Sequence, residues 1–150
     1  MRVFSSVAEL TAAKGEHLGY STWHTITQEQ VNTFADATGD HQWIHVDPER
    51  AARGPFGSTI AHGYLTESLL PTLGADVYRI RGITMGINYG SNKVRFPSPV
   101  RVGARVRDGI ELTDVVAVSQ GHQLLMKHIV EIEGEDKPAC VAETITLVIS

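Results

Sequence analysis

The fold of this chain is decided by one apolar stretch, Thr59-Ile-Ala-His-Gly-Tyr-Leu-Thr-Glu-Ser-Leu-Leu-Pro-Thr-Leu-Gly74. Placed on a helix, its apolar residues fall on more than one face, and a helix that is apolar around most of its surface lies inside a fold. Pro71 removes one backbone hydrogen bond, so we expect a kink or an end near Leu70. The stretch therefore predicts a long central helix, with the rest of the chain wrapped around it.

Beyond Val77 the sequence acquires the composition of β-strands. Valine, isoleucine and threonine dominate there, and apolar and polar residues alternate over Val100–Arg107 and Val141–Ile149. Long antiparallel strands are predicted to begin near Ile80, Val102, Leu124 and Ala139. Helices first and strands last, around one buried helix, indicate the α+β class, and 150 residues suit a single domain.

Three short helices are predicted ahead of the apolar stretch. Ser6-Val-Ala-Glu9 and Thr27-Gln-Glu-Gln30 have the spacing of capping boxes, and Asp47-Pro48 pairs an N-cap residue with a proline at the first helical position. We expect helices over about 7–14, from 27 to a stop at Gly39, and through Ala52. The segment between the last two helices is expected to be an irregular loop.

Composition excludes several classes of protein. With 42% hydrophobic and 20% charged residues the chain is globular, and a net charge of -4 argues against nucleic acid as the main partner. Cys140 is the one cysteine, so neither an intramolecular disulfide nor a cysteine-based zinc cluster is possible. No stretch has the signal-peptide pattern or the ~18 apolar residues of a membrane span. We expect a cytoplasmic protein with no membrane partner.

The basic residues are concentrated in one part of the chain. Between Val77 and Arg107 there is no Asp or Glu, and seven of the thirteen basic residues lie there: Arg79, Arg81, Lys93, Arg95, Arg101, Arg105 and Arg107. Such a positive band on an acidic protein is a plausible dock for a phosphorylated small molecule. A set of solvated strand faces would explain the same residues.

The residues best suited to chemistry lie in the expected loop. Asp40 follows the helix stop, and His45 comes five residues later among aromatic and apolar neighbours. A carboxylate and an imidazole on either side of one water could take its proton and deliver one elsewhere. Burial would raise the pKa of the Asp and lower that of the His, toward neutral pH. On the residues alone, a turn Asp and a structural His remain possible.

A metal site is the competing interpretation of this loop. His41 and His45 are four residues apart, and Asp40, Asp47 and His62 could complete a ligand shell. Gly39 and the Trp43-Ile44 pair argue against a helix here, so the two imidazoles need not face the same way. No His-Glu-x-x-His pattern is present. We therefore expect no metal.

A second candidate lies at the start of the apolar stretch, in Ala61-His62-Gly63. Backbone N–H groups are free at a helix start, and a glycine allows close approach, so Gly63 could bind a developing oxyanion. Alternatively, Gly63 relieves crowding where the helix meets the sheet.

Together these segments resemble the MaoC-like family of (R)-specific enoyl-CoA hydratases. The family's motif of an aromatic residue, Gly-Asp-x-Asn-Pro-aliphatic-His and a small residue matches Phe34, Gly39–His45 and Ala51. Its Ala-His-Gly block matches 61–63, and its Phe-x-x-Pro-Val-x-x-Gly block matches 96–103. The named motifs span about residues 25–107. Gln42 and Trp43 depart from the family's Asn and Pro.

The resemblance implies a hot-dog fold, an antiparallel sheet wrapped around a long central helix, and a homodimer. It implies hydration of a trans-2-enoyl thioester of coenzyme A to the (R)-3-hydroxyacyl thioester, with no cofactor besides the coenzyme A of the substrate. Asp40 would be the general base, His45 would help to hold the water, and the Gly63 N–H would bind the thioester oxygen. Substrate-binding residues would be Gln42, Trp43, His62, Tyr64, Lys93 and Arg95, the last two at the phosphates.

Two other functions fit the same resemblance. A hot-dog thioesterase would bind acyl-CoA but cleave the thioester, which needs a carboxylate aimed at the carbonyl carbon. A non-catalytic acyl-binding subunit of a dehydratase complex would have no reason to keep both Asp40 and His45. These two residues favour the hydratase.

Overall fold

The computed structural model describes every residue from Met1 to Ser150, in eight strands and six short helices. The strands are β1 (Arg2–Phe4), β2 (His17–Tyr20), β3 (His24–Thr25), β4 (Tyr78–Ile80), β5 (Met85–Arg95), β6 (Arg105–Val118), β7 (Gly121–Ile132) and β8 (Cys140–Ile149). The helices are α1 (Val7–Ala12), α2 (Gln28–Thr38), α3 (Trp43–Val46), α4 (Pro48–Ala52), α5 (Gly63–Ser68) and α6 (Leu70–Val77).

Six of the strands form one antiparallel sheet. The strand order is β2-β6-β7-β8-β5. β3 pairs with residues 105–106 of β6, next to the part of β6 that pairs with β2. Along β7, every second residue from Leu124 to Ile132 is buried, as the period of a strand with one covered face requires. β1 and β4 form a separate parallel pair. The predicted α+β class and the long C-terminal strands are confirmed.

The predicted central helix forms as two consecutive helices, α5 and α6, that meet at Leu69, and not as one unbroken helix. The first residues of the apolar stretch are extended, with the Ala61 N–H donating to the Val100 carbonyl, and α5 begins only at Gly63. The helical path is interrupted at Leu69, and Pro71 lies in the first turn of α6. Since proline has no N–H to donate to the carbonyl four residues earlier, the break falls where Pro71 predicted a kink or an end.

The upstream helices begin at the predicted caps. The side chains of Ser6, Thr27 and Asp47 accept hydrogen bonds from N–H groups in the first turns of α1, α2 and α4. The left-handed φ of 82° at Gly39 ends α2. The expectation of an irregular loop after Gly39 is wrong, because four of its residues form α3.

The covered face of the sheet carries two separate hydrophobic clusters. The first joins α5 and α6 to one end of β6, β7 and β8, through residues such as Leu65, Leu73 and Val130. The second joins α1 and β2 to the opposite end, through residues such as Leu10, Ile110 and Met126. None of the helices has the length and apolarity that crossing a membrane requires.

Candidate active site

The Asp40 loop is held by short-range hydrogen bonds between two helices. The Asp40 N–H lies 3.4 Å from the Thr38 hydroxyl, and its carboxylate Oδ1 accepts from the Gln42 N–H at 3.3 Å. Asp40 is exposed. The side-chain bond to the Gln42 N–H ties the carboxylate to the N-cap residue of α3, the helix that turns His45 inward.

His45 is buried, and its tautomer is set by the backbone. Its Nδ1 lies 2.7 Å from the Ile60 carbonyl oxygen, which only accepts, so Nδ1 carries the proton and Nε2 keeps a lone pair. Burial lowers the pKa of His45, and the nearby His62 lowers it further; the Ile60 hydrogen bond and the Asp40 charge oppose this. With a lowered pKa, the neutral imidazole is the form present at neutral pH.

His62 contacts both Asp40 and His45. Its Nε2 donates to the backbone carbonyl of Asp40 at 2.9 Å, and its ring stacks on the His45 ring at a centroid distance of 3.8 Å. Phe34 covers the His62 ring at 4.9 Å. The remaining nitrogen, Nδ1, is buried and has no hydrogen-bond partner within the chain. His62 therefore fixes the position of Asp40 and leaves one further acceptor in the site.

Three polar side chains converge at this point. An Asp40 carboxylate oxygen and one ring nitrogen each of His45 and His62 lie within 4.8 Å of one another. Two atoms that share one water, each about 2.8 Å from its oxygen, are roughly 4.5 Å apart. The arrangement therefore has the dimensions of a site for one bridging water.

The same three residues are the ones that could offer ligands to a metal ion. However, the His45 and His62 rings are stacked with only 23° between their planes. A metal ion lies near the plane of each imidazole that binds it, and the planes of two rings stacked 3.8 Å apart are offset from each other, so the two rings are poorly placed to bind one ion. His41 does not belong to this cluster, because it is exposed and its Nε2 binds Asp36 Oδ1 at the surface, at 2.9 Å. The geometry thus favours a water over a metal.

Gly63 lies beside this cluster, at the first position of α5. A Cβ there would lie 2.7 Å from the Phe96 ring, so the glycine is required by close packing. Its N–H donates no hydrogen bond within the chain. Both interpretations of Gly63 thus have structural support: the ring leaves no room for a side chain, and the free N–H is available to a ligand.

The predicted acyl-binding residues are not all in one place. Tyr64 is exposed and meets the Phe96 ring edge-on at 6.2 Å. Trp43 is half-buried, and its ring is covered by the Arg50 guanidinium, 4.3 Å from the ring centroid. Gln42 contributes its backbone N–H to the Asp40 carboxylate, whereas its side chain does not cap α3.

The basic band of the sequence does not form one free patch. Arg101, Arg105 and Arg107 pair with Glu135, Glu133 and Glu131. Lys93 and Arg95 lie on β5, are exposed and form no ion pair. The Arg95 side chain donates to the Val94 carbonyl at 2.7 Å. Of the band, these two are the free cations on the long edge strand.

Two positioning residues, Gln28 and Thr59, were missed from the sequence. The Gln28 side-chain amide donates to the His45 carbonyl at 2.8 Å and accepts from the Thr59 hydroxyl at 2.6 Å. Gln28 thereby ties α2 to α3 and to the segment that carries Ile60, the partner of His45. No local signal marks these contacts, because their partners are 17 and 31 residues away in the chain.

Comparisons with known proteins find similar sequences over most of the chain. The family model described as a MaoC-like domain matches residues 9–132. The chain is 61% identical to the 3-hydroxyacyl-thioester dehydratase Z of Mycobacterium tuberculosis over 97% of both chains, and 47% identical to nodulation protein N of Rhizobium leguminosarum over 95% of this chain and 91% of that one.

A solved structure agrees at the level of the fold. R-hydratase PhaJ1 of Pseudomonas aeruginosa superposes with a TM-score of 0.72 at 24% identity, covering 90% of this chain and 83% of that one. The hot-dog architecture expected from the motifs is confirmed by this likeness, with two short helices in place of the long one. By its family-model match and its sequence identity to these relatives, the chain belongs to the MaoC-like domain family.

Proposed function

We propose that this protein is an (R)-specific hydratase of trans-2-enoyl thioesters of coenzyme A, and that it catalyses the reverse dehydration of 3-hydroxyacyl thioesters. The reaction class in this proposal is a hydro-lyase that acts on thioesters. It is supported by the relative named 3-hydroxyacyl-thioester dehydratase Z, which is 61% identical to this chain. The observation that carries the chemistry is the convergence of Asp40, His45 and His62 within 4.8 Å.

One water supplies both groups that add to the alkene. Asp40 and neutral His45 each accept a hydrogen bond from this water, which orients its oxygen toward the β-carbon of the substrate. Asp40, as general base, takes one proton while the water oxygen bonds to the β-carbon, and the proton then passes from the pair to the α-carbon. The atoms of a single water account for the product, and no cofactor takes part.

The thioester oxygen gains negative charge as the water adds. We assign the free N–H of Gly63 as its donor, because this N–H lies one residue beyond His62 and has no other acceptor. A donor of this kind contributes roughly 10²–10³ in rate. Phe96, packed on Gly63, would keep bulk water away from that oxygen.

The test is a hydration assay with crotonyl-CoA and longer trans-2-enoyl-CoA substrates. We expect the ultraviolet absorbance of the conjugated enoyl thioester to fall, and chiral chromatography of the product to show the (R)-3-hydroxyacyl thioester. Treating the protein with EDTA beforehand should leave the rate unchanged. An (S) product, or no loss of absorbance with any chain length, would contradict the proposal.

The same assay separates the two alternatives when a thiol reagent is included. A thioesterase would release free coenzyme A with saturated and unsaturated substrates alike, whereas a hydratase releases none. A non-catalytic acyl-binding subunit would bind the thioesters without either signal. The proposal therefore requires loss of the enoyl absorbance in the absence of free thiol.

A further inference from the structure

A row of polar side chains crosses the covered face of the sheet. Asp108 on β6 accepts from His128 Nδ1 on β7 at 2.7 Å, and His128 Nε2 lies 3.1 Å from the Thr144 hydroxyl on β8. Asp108 is fully buried, His128 is 6% exposed, and the second Asp108 oxygen has no partner. This polar row, Asp108, His128 and Thr144, is not part of the Asp40 site.

The polar row separates the two hydrophobic clusters. On β7 it lies between Val130 of the first cluster and Met126 of the second. The same order holds on β6, where Asp108 lies between Val106 and Ile110. Replacing a buried ion pair by apolar residues of similar volume is often neutral or stabilising, so this row is weak evidence for a purely structural role.

A cavity of about 630 Å³ lies over the polar row. His128 and Thr144 line one side of it, and Tyr64, Ser68 and Pro71 of α5 and α6 line another. Its lining is mixed, with polar side chains such as Asn88, Ser91 and Thr144 beside apolar ones such as Leu70 and Ile145. An unsubstituted alkyl chain would remove these polar side chains from water without offering them a hydrogen bond, which is unfavourable.

The cavity follows the helical segment that starts at the proposed active site. α5 begins at Gly63, and the next residue, Tyr64, already lines the cavity. Pro71, eight residues after Gly63, lines it as well. At 1.5 Å per residue the lining residues of these helices lie up to roughly 12 Å from Gly63, and an extended eight-carbon acyl chain covers about three quarters of that length. An acyl group whose thioester oxygen is at Gly63 could therefore reach the polar row.

We propose that the polar row is a recognition site for an oxygen function on the acyl chain, so that the preferred substrates are thioesters whose acyl group carries a hydroxyl or keto group well beyond the reacting carbons. Beyond its bond to His128, the Thr144 hydroxyl keeps a lone pair that can accept from a substrate hydroxyl, and its O–H can donate to a keto group when His128 Nε2 carries a proton. His128, held by Asp108, orients that hydroxyl. The inference rests on the proposed function, because it takes the cavity as the acyl site.

The test is a binding comparison that does not require turnover. Calorimetry measures the affinity of octanoyl-CoA and of octanoyl thioesters that carry one hydroxyl or keto group at successive carbons from the fifth to the eighth. We expect at least one substituted thioester to bind about ten-fold more tightly than octanoyl-CoA, as one added hydrogen bond allows. Equal or weaker binding of every substituted thioester would overturn the inference.

The matched variants are Thr144→Val and Thr113→Val. Thr144→Val keeps the shape of the side chain and leaves the buried Asp108–His128 pair in place, so it should abolish the preference. Thr113 is on β6 outside the cavity, and its hydroxyl bonds only the Leu125 carbonyl, so Thr113→Val should retain the preference. An equal loss in both variants would mean a general change in the fold and would overturn the inference.

Kinetics with trans-2-octenoyl-CoA distinguishes the two proposals. If this substrate is hydrated but no oxygen-substituted thioester binds more tightly, the proposed function stands and the polar-row inference fails. If it is not hydrated, the proposed function fails, and the calorimetric comparison still decides whether the polar row binds an oxygen function.

Discussion

Two side chains, Asp40 and His45, carry the proposed chemistry at the scale of single residues. We expect Asp40→Asn and His45→Gln each to lower kcat for enoyl-CoA hydration by at least ~10², because each removes an acceptor that holds or activates the water. Thermal unfolding should stay near that of the wild-type protein.

His41 provides the matched control for these variants. It lies in the same loop but binds Asp36 at the surface, so His41→Gln should retain wild-type kcat. If the Asp40 and His45 variants lose activity only in proportion to the fraction of protein that fails to fold, the pair is structural.

The protonation of His45 sets a pH dependence at the same scale. Burial lowers the pKa of His45 below its ordinary 6.5, so the folded protein keeps the neutral ring at pH values where a free histidine is already charged. We expect the acid limb of kcat/KM against pH to have its midpoint below pH 6.5. A midpoint at or above pH 6.5, or an unchanged limb in His45→Gln, would contradict this assignment.

The lowered pKa of His45 should also make the folded protein less stable at acidic pH. The unfolded chain binds a proton on this histidine near pH 6.5, before the folded chain does. The stabilisation from burying neutral His45 is therefore complete above pH 6.5 and is lost as the pH falls through that value. Comparing denaturant midpoints of the wild type and His45→Gln across this range measures the contribution.

At the scale of elements, Gln28 is the connection between α2 and the helix that carries His45. Gln28→Leu removes the bond to the His45 carbonyl and the bond from Thr59, so α3 loses its support from α2. We expect kcat to fall about 10-fold to 100-fold with a smaller change in KM, since small displacements of a catalytic group are costly. Steady-state kinetics measures both constants.

Gln30 offers a matched control on the same helix. Its side chain bonds His24 of β3 at 3.0 Å, so Gln30→Leu also loses one hydrogen bond between elements but none to the site. Its kcat should equal that of the wild type. Equal losses in Gln28→Leu and Gln30→Leu would show that general loosening of α2 is responsible.

Local signals predicted some elements well and others not at all. The caps of α1, α2 and α4 depend on hydrogen bonds within three residues, so Ser6, Thr27 and Asp47 mark them in the sequence. The four-residue α3 has no capping side chain, and it is supported by Gln28 from a distance. The extended start of the apolar stretch is likewise determined by pairing of Ala61 with Val100.

At the scale of the whole molecule, charge is distributed so that three of the seven basic residues of the band, Arg101, Arg105 and Arg107, are paired with glutamates. Lys93 and Arg95 remain free on β5, and we expect Lys93→Gln with Arg95→Gln to raise KM for the CoA thioester several-fold. The salt dependence of kcat/KM should weaken as well, because screened attraction to the phosphates is lost.

Arg105→Gln is the comparison for this effect. Arg105 belongs to the same band of sequence but already pairs with Glu133, so its replacement should leave KM and its salt dependence unchanged. If Lys93 and Arg95 variants change stability alone, the phosphates are bound elsewhere.

The edge of the sheet predicts the assembly. β5 is an eleven-residue terminal strand paired only with β8, and it exposes Met85, Ile87 and Tyr89. Such an edge is an aggregation risk unless another strand covers it, and a second copy of the chain would do so. We expect light scattering to give twice the 16.4 kDa of one chain.

Charge placed on this edge should separate the two copies. Ile87→Asp with Tyr89→Asp is expected to give a monomer, whereas Ile129→Asp, an exposed apolar position on the interior strand β7, should remain a dimer. A monomeric wild-type protein would contradict the predicted homodimer.

The sequence by itself determined the class of fold, the three capped helices and the long strands, and it identified Asp40 and His45 as candidates. Each of these depends on residues close together in the chain, through caps, alternation or a short motif. The tertiary structure alone decided the tautomer of His45, the support from Gln28 and His62, and the neutralisation of Arg105 and Arg107. It also decided the polar row of Asp108, His128 and Thr144. These features depend on contacts between distant segments, and the register that brings such segments together is set only when the whole sheet packs against its helices.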